Sequence, residues 1–179
     1  FVLLALAAFL AFERDHLLLA GVAGAAATAT RFVGLAVVVG LVVGVLERRA
    51  VVRDAERGRW FHIDRSRLRD LRPGDAGVLV SLAGIGAWSA YLWQRFGDPL
   101  AFSTVQEAWG QQAGIVTWAK RDFFASVVRH PADLYTVGLV LQLAAAALVA
   151  LSVPAVGRRF GWRYAAYMAV VVALPPQFH

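Results

Sequence analysis

The run Leu17–Leu46, LLLAGVAGAAATATRFVGLAVVVGLVVGVL, is thirty residues long, and only Thr28, Thr30 and Arg31 interrupt its apolar character. As one helix rising 1.5 Å per residue it would be about 45 Å long, against a bilayer hydrocarbon core of about 30 Å. That is too long for an untilted span. The favoured reading is a hairpin of two shorter helices meeting near Thr30-Arg31-Phe32-Val33-Gly34, with the arginine at an outer bend and both ends returning to one side. A single long helix over residues 17–46 is the alternative. Gly21 with Gly24, and Gly40 with Gly44, place small residues about one turn apart, a spacing that suits close helix packing.

Composition points the same way. Of 179 residues, 59% are hydrophobic and 17% charged, and the mean hydropathy is +0.60, which suits a membrane protein better than a soluble domain. The net charge of +6 does not argue for nucleic acid, because the arginines concentrate in one block between apolar runs, where the positive-inside rule explains them. Lys120 is the single lysine, and the absence of cysteine excludes thiolate metal sites and disulfides. Phe1 falls within an apolar run with no basic segment before it, so the chain reads as a fragment and its opening is no signal peptide.

Taken in order, the expected architecture is all-α: a polytopic transmembrane helix bundle with about five to six membrane helices. Residues 1–12 form a truncated helix, 17–46 the hairpin, and 47–75 a cytoplasmic basic loop with nine arginines against five acids between Glu47 and Arg72. A span over 76–94 follows, with Trp88, Tyr91 and Trp93 crowded at its far end as in an aromatic belt. Residues 95–133 form an outer loop with short interfacial helices, 134–153 a returning span with Arg158, Arg159 and Arg163 at its inner end, and 164–176 a further span. The predicted location is the cell membrane, multi-pass, with the active face extracytoplasmic.

The polar and aromatic island Trp93–Trp109, WQRFGDPLAFSTVQEAW, is the expected working face. If Pro99 opens a helix, Asp98 becomes its N-cap and Phe102, Gln106 and Trp109 fall on one face at steps of four and three residues. No phosphate-cradling glycine loop, zinc-ligand spacing or Ser-His-Asp arrangement is present. A cap is the simpler role for Asp98, while Gln106 and Trp109 suit ligand contact and interfacial anchoring equally. Arg31 reads as functional, since a cation costs about 2.5–3.5 kcal/mol at the bilayer centre and is seldom left unpaired there.

The run FGDPLAF at 96–102, with Gln106 and Trp109 downstream, resembles the outer loop of bacterial PIG-V-like membrane mannosyltransferases, relatives of GPI mannosyltransferase 2 in the GT-C superfamily. The segment Ala25–Gly34, ending Ala-Thr-Arg-Phe-Val-Gly, is similar to that family's Ala-x-x-Thr-Arg-x-x-Gly segment. The resemblance implies a GT-C-like enzyme that takes a sugar, mannose in that family, from a polyprenyl-phosphate donor and adds it to a lipid or glycan acceptor outside the cytoplasm. Its catalytic base would lie upstream of Phe1, so the catalytic residue is unknown in this chain. Arg31 is carried over as a phosphate contact, and Asp98, Gln106 and Trp109 as substrate-binding residues. No protein metal site and no certain cofactor are implied, a divalent metal is left open, and the partners are donor, acceptor and membrane lipids, without nucleic acid. The alternative is a transporter or non-catalytic membrane subunit, but a transport path requires polar or ionisable residues near the midplane of several spans, and only Arg31 and Gln142 qualify even loosely.

Overall fold

A computed structural model describes residues 1–53, 62–101 and 134–173. They form a mostly helical bundle: α1 (Val2–Glu13), α2 (Leu17–Thr30), a 3-10 turn (Phe32–Gly34), α3 (Leu35–Arg48), α4 (Ala83–Phe96), α5 (Leu134–Phe160) and α6 (Trp162–Ala173). Between α3 and α4 lie β1 (Val52–Arg53) and β2 (His62–Ile63), paired antiparallel with Val52 opposite Ile63, and two 3-10 helices, Arg65–Asp70 and Pro73–Leu82.

The long apolar run is divided at Arg31, whose extended backbone (φ −154°, ψ 143°) separates α2 from the 3-10 turn. The chain doubles back there. A Cβ on Gly24 would lie 3.5 Å from Leu41 Cδ1, so α3 packs antiparallel on α2. Gly40 and Gly44 accept the rings of Phe9 and Phe12, which puts α1 beside α3 and running in the same direction. The core is the set Ala8, Phe9 and Phe12 of α1, Ala20 and Ala27 of α2, and Val37, Leu41 and Val45 of α3, with Val78 closing one side.

Helices α1 and α3 each end on a left-handed residue that is not glycine. Asp15 (φ 64°) and Ala50 (φ 55°) each hold the position just past a helix, and the following N–H reaches back five residues: His16 to Ala11 O at 2.9 Å and Val51 to Leu46 O at 2.8 Å. This double-bonded termination satisfies carbonyls that would otherwise be orphaned.

Pro73–Leu82 packs along α2 in the same direction. In a 3-10 helix every third residue eclipses, so Asp75, Val78 and Ser81 line up in one column, and all three are buried. The column continues into Gly84 at the start of α4. Here backbones nearly touch: a Cβ on Gly21 would lie 2.1 Å from Gly77 O, and one on Gly84 only 1.8 Å from Ala25 O.

Two helical segments are long and apolar enough to cross a membrane: Pro73–Phe96, 24 residues, and Thr136–Phe160 within α5, 25 residues. The expectation of about five to six spans is not carried that far. The breaks after Glu13 and at Arg31 leave α1 and α2 with 12 and 14 residues, short of the roughly 20 that a spanning helix needs. The spanning segment begins at Pro73 rather than Ala76, and α5 runs past Pro154 to Phe160. A proline removes one hydrogen bond, and a helix can keep the rest on either side of it. At Gly161 (φ 112°) the chain turns, and Trp162 lays its indole on Gly157, folding α6 back on α5. The expected interfacial helices of the outer loop and the prolines Pro175-Pro176 lie outside the described residues.

Candidate functional site

The two ends of the bundle differ in chemistry. One gathers the charged residues at the end of α1, the start of α2, the end of α3, the segment 62–75 and the junction of α5 with α6. The other carries the Arg31 turn, the end of α4 and the start of α5.

At the charged end Arg48, Arg49, Arg67 and Arg163 are matched to acids, whereas Arg14, Arg65, Arg69, Arg72, Arg158 and Arg159 form no ion pair among the described residues. Arg49 meets Asp75 through two bonds, Nε to Oδ2 at 2.8 Å and Nη2 to Oδ1 at 2.7 Å, while Asp75 also accepts the backbone N–H of Arg72 at 2.8 Å. The carboxylate beside it holds the Arg49 guanidinium still more firmly protonated than usual. Glu47 caps α6: Oε1 accepts the Trp162 N–H at 2.5 Å, and Oε2 accepts the Arg163 N–H and Nη1, each at 3.2 Å. Arg163 Nε lies 2.8 Å from Glu13 Oε1, outside hydrogen-bonding angle, and Tyr164 donates its hydroxyl to the same oxygen at 2.9 Å. Arg48 bonds Asp15 and the Phe12 carbonyl, and its guanidinium lies over the Phe12 ring at 3.9 Å. These groups satisfy one another and leave little for a ligand.

The opposite end is built around Arg31. Thr28 Oγ1 bonds Ala25 O at 2.9 Å and Ser81 O at 2.8 Å, tying the last turn of α2 to the neighbouring 3-10 helix. Thr30 Oγ1 bonds Ala27 O at 2.8 Å, engaging a carbonyl at the helix end. Gly34 donates its N–H to Arg31 O at 2.8 Å, and a Cβ there would lie 2.5 Å from Thr28 Cα, so only glycine lets the chain re-enter so closely. Thus Ala27, Thr30 and Gly34 of the motif shape the turn. Arg31 is exposed, and among the described residues no acid pairs with its guanidinium. It sits at the negative end of the α2 dipole, which favours a cation there while leaving its donors free for an anion.

Asp98 follows Gly97, the left-handed residue (φ 72°) that ends α4. Its Oδ1 accepts the Leu100 N–H at 2.8 Å, so Asp98 is engaged in capping the turn that Pro99 opens. Arg31 and Asp98 are not brought together. Gly84 packs on Ala25 and Thr28, so α4 rises past the Arg31 turn and carries Asp98 about 15 Å beyond it along the helix axis. The overhanging part of α4 exposes Trp88, Tyr91, Trp93 and Phe96, with Trp88 and Tyr91 stacked at 5.6 Å. Gln106 and Trp109 lie outside the described residues. Among those described, no three His, Asp or Glu side chains converge as a metal site would require.

The Thr28–Ser81 link and the Glu47 cap were not anticipated. Their partners are 53 and 115 residues apart, a separation at which no local pattern signals pairing. Compared with protein-family models, curated proteins and solved structures, the chain matches none.

Proposed function

We propose that the chain works within an integral membrane glycosyltransferase, mannosyltransferase-like, that transfers a sugar from a polyprenyl-phosphate donor to a lipid or glycan acceptor on the outer side of the membrane. The observation that carries this reading is Arg31: an exposed guanidinium on a turn between apolar helices, without an acidic partner among the described residues, at the end of the bundle opposite the matched charges. A fork of N–H donors on an exposed turn between apolar helices is the chemistry that a lipid phosphate requires. In this reading the charged end faces the cytoplasm, α1, α2, α3 and α6 complete a multi-pass bundle around the two longer helices, and the exposed aromatics of α4 stand at the outer interface. Arg31 holds the donor phosphate, and the segment that starts at Asp98 closes over the sugar and excludes water from it. Gln106 and Trp109 are assigned to hydrogen-bonding and stacking on the sugar.

The test is Arg31→Leu against Arg31→Lys in the intact membrane protein, assayed with a radiolabelled polyprenyl-phosphate sugar. Losing charge-assisted bonds to a phosphate worth about 2–3 kcal/mol lowers kcat/KM for the donor by about 30- to 160-fold in the leucine variant. The lysine variant recovers part of this loss as a point charge. Leucine-variant activity equal to wild type removes the assignment, and failure of that variant to accumulate in the membrane makes Arg31 a folding residue instead.

A further inference from the structure

Immediately before the spanning segment that begins at Pro73, the chain exposes a combination of groups that neither the bundle nor the proposed chemistry uses. The 3-10 helix Arg65–Asp70 has no buried residue, and it is followed directly by Leu71 and Arg72. Ile63, Leu68 and Leu71 are 52%, 45% and 41% exposed, while Arg65, Arg67, Arg69 and Arg72 are all exposed around them.

Within the 3-10 helix Leu68 falls in one column with Arg65, and Arg69 in the next with Ser66, while Leu71 and Arg72 continue the chain in extended backbone. The acids of the segment are engaged: Asp64 accepts the N–H and hydroxyl of Ser66 at 3.1 and 2.6 Å and lies 4.0 Å from Arg67, and Asp70 lies 3.5 Å from Arg67. Among the described residues Arg65, Arg69 and Arg72 form no ion pair. The segment is held to the bundle at both ends. Asp64 donates its N–H to the carbonyl of buried Val51 at 2.8 Å, and Arg72 is tied through its N–H to Asp75.

We propose that residues 62–72 form a membrane-surface foot that binds anionic phospholipid headgroups through Arg65, Arg69 and Arg72 and inserts Leu68 and Leu71 at the acyl boundary. Charge complementarity selects the partner. A neutral lipid surface would attract the leucines alone, whereas three unpaired guanidiniums beside them match a leaflet rich in phosphatidylglycerol or a similar anionic lipid. The foot sets the depth at which Pro73 starts the spanning segment, so it fixes how far α4 and its aromatics project at the other end. The inference rests on the membrane reading of Pro73–Phe96 and is independent of the sugar chemistry.

The chain has no cysteine, so a single Ser66→Cys carries an environment-sensitive fluorophore without background. The full chain is reconstituted in vesicles of phosphatidylcholine alone and of phosphatidylcholine with a quarter phosphatidylglycerol, and iodide quenching is read in both. Protection from iodide is expected only in the anionic vesicles, weakening with salt and falling about fivefold for each arginine changed to glutamine among Arg65, Arg69 and Arg72. Leu68→Gln with Leu71→Gln should keep the salt-sensitive attraction but lose the blue shift of insertion. Equal quenching in both vesicle types, or protection that survives removal of all three arginines, overturns the foot while leaving the membrane reading in place. A chain that fails to float with either vesicle overturns both.

Discussion

Asp75 is the residue whose environment is most demanding. It is 7% exposed at the start of an apolar segment, and its carboxylate is tolerable there because Arg49 and the Arg72 N–H satisfy both oxygens. Removing one partner of a buried pair is worse than removing both, since an uncompensated charge remains. Arg49→Met should therefore destabilise the bundle, whereas Arg49→Met combined with Asp75→Leu should recover most of that loss. Thermal unfolding of the two variants in detergent checks this. A double variant less stable than the single would show that the pair contributes net stability. The contrast with Arg31 is informative at the same scale: one arginine is matched to an acid at two points, and the other, on a turn, has none among the described residues.

At the scale of elements, the contact between α2 and the Pro73–Phe96 segment is made by absent side chains. Gly21, Gly24, Gly77 and Gly84 let two helical backbones meet so closely that a methyl group at Gly84 would fall 1.8 Å from Ala25 O and 2.4 Å from Thr28 Oγ1. Without a hydrophobic driving force between helices in lipid, such close packing together with a crossing hydrogen bond like Thr28 to Ser81 supplies the association. Gly84→Ala should cost about 2 kcal/mol or more by forcing the helices apart. Gly86, two residues on, has open space where a Cβ would go, so Gly86→Ala should be neutral or mildly stabilising. Equal stability for the two alanine variants in a denaturant titration would mean that this contact is looser than the structure shows.

For the whole molecule, the separation of charge is the organising fact. Arg14, Arg48, Arg49, Arg158, Arg159 and Arg163 gather at one end although they come from three different stretches of chain. In the proposed reading that end faces the cytoplasm, in keeping with the positive-inside rule. In the proposed layout, single cysteines at Arg158 and at Gln94 should react with an impermeant thiol reagent from opposite sides of a sealed membrane. Both labelled from the same side would overturn the arrangement and, with it, the placement of Arg31 beside an outer leaflet. The exposed leucines of α1, α2 and α5 fit this picture, because in lipid a large apolar surface needs no burial within the protein.

Helical character was legible in the sequence because it depends on local quantities: long apolar runs, the scarcity of proline within them, and glycines at one-turn spacing. The length of Leu17–Leu46 favoured a break over a single long helix, and the pair of threonines with an arginine marked its place. Asp98 before Pro99 was likewise readable as a cap, because a cap is made within three residues. Tertiary structure alone decided the rest. That Gly84 faces Ala25, that Glu47 caps a helix 115 residues away, and that Arg49 holds Asp75 depend on which helices become neighbours. The same holds for the distance between Arg31 and Asp98: each is local in its making, but α4 packs parallel to α2 and outruns it. Helix length is fixed by nearby residues, whereas relative height is fixed by the register of packed backbones, which no single segment encodes.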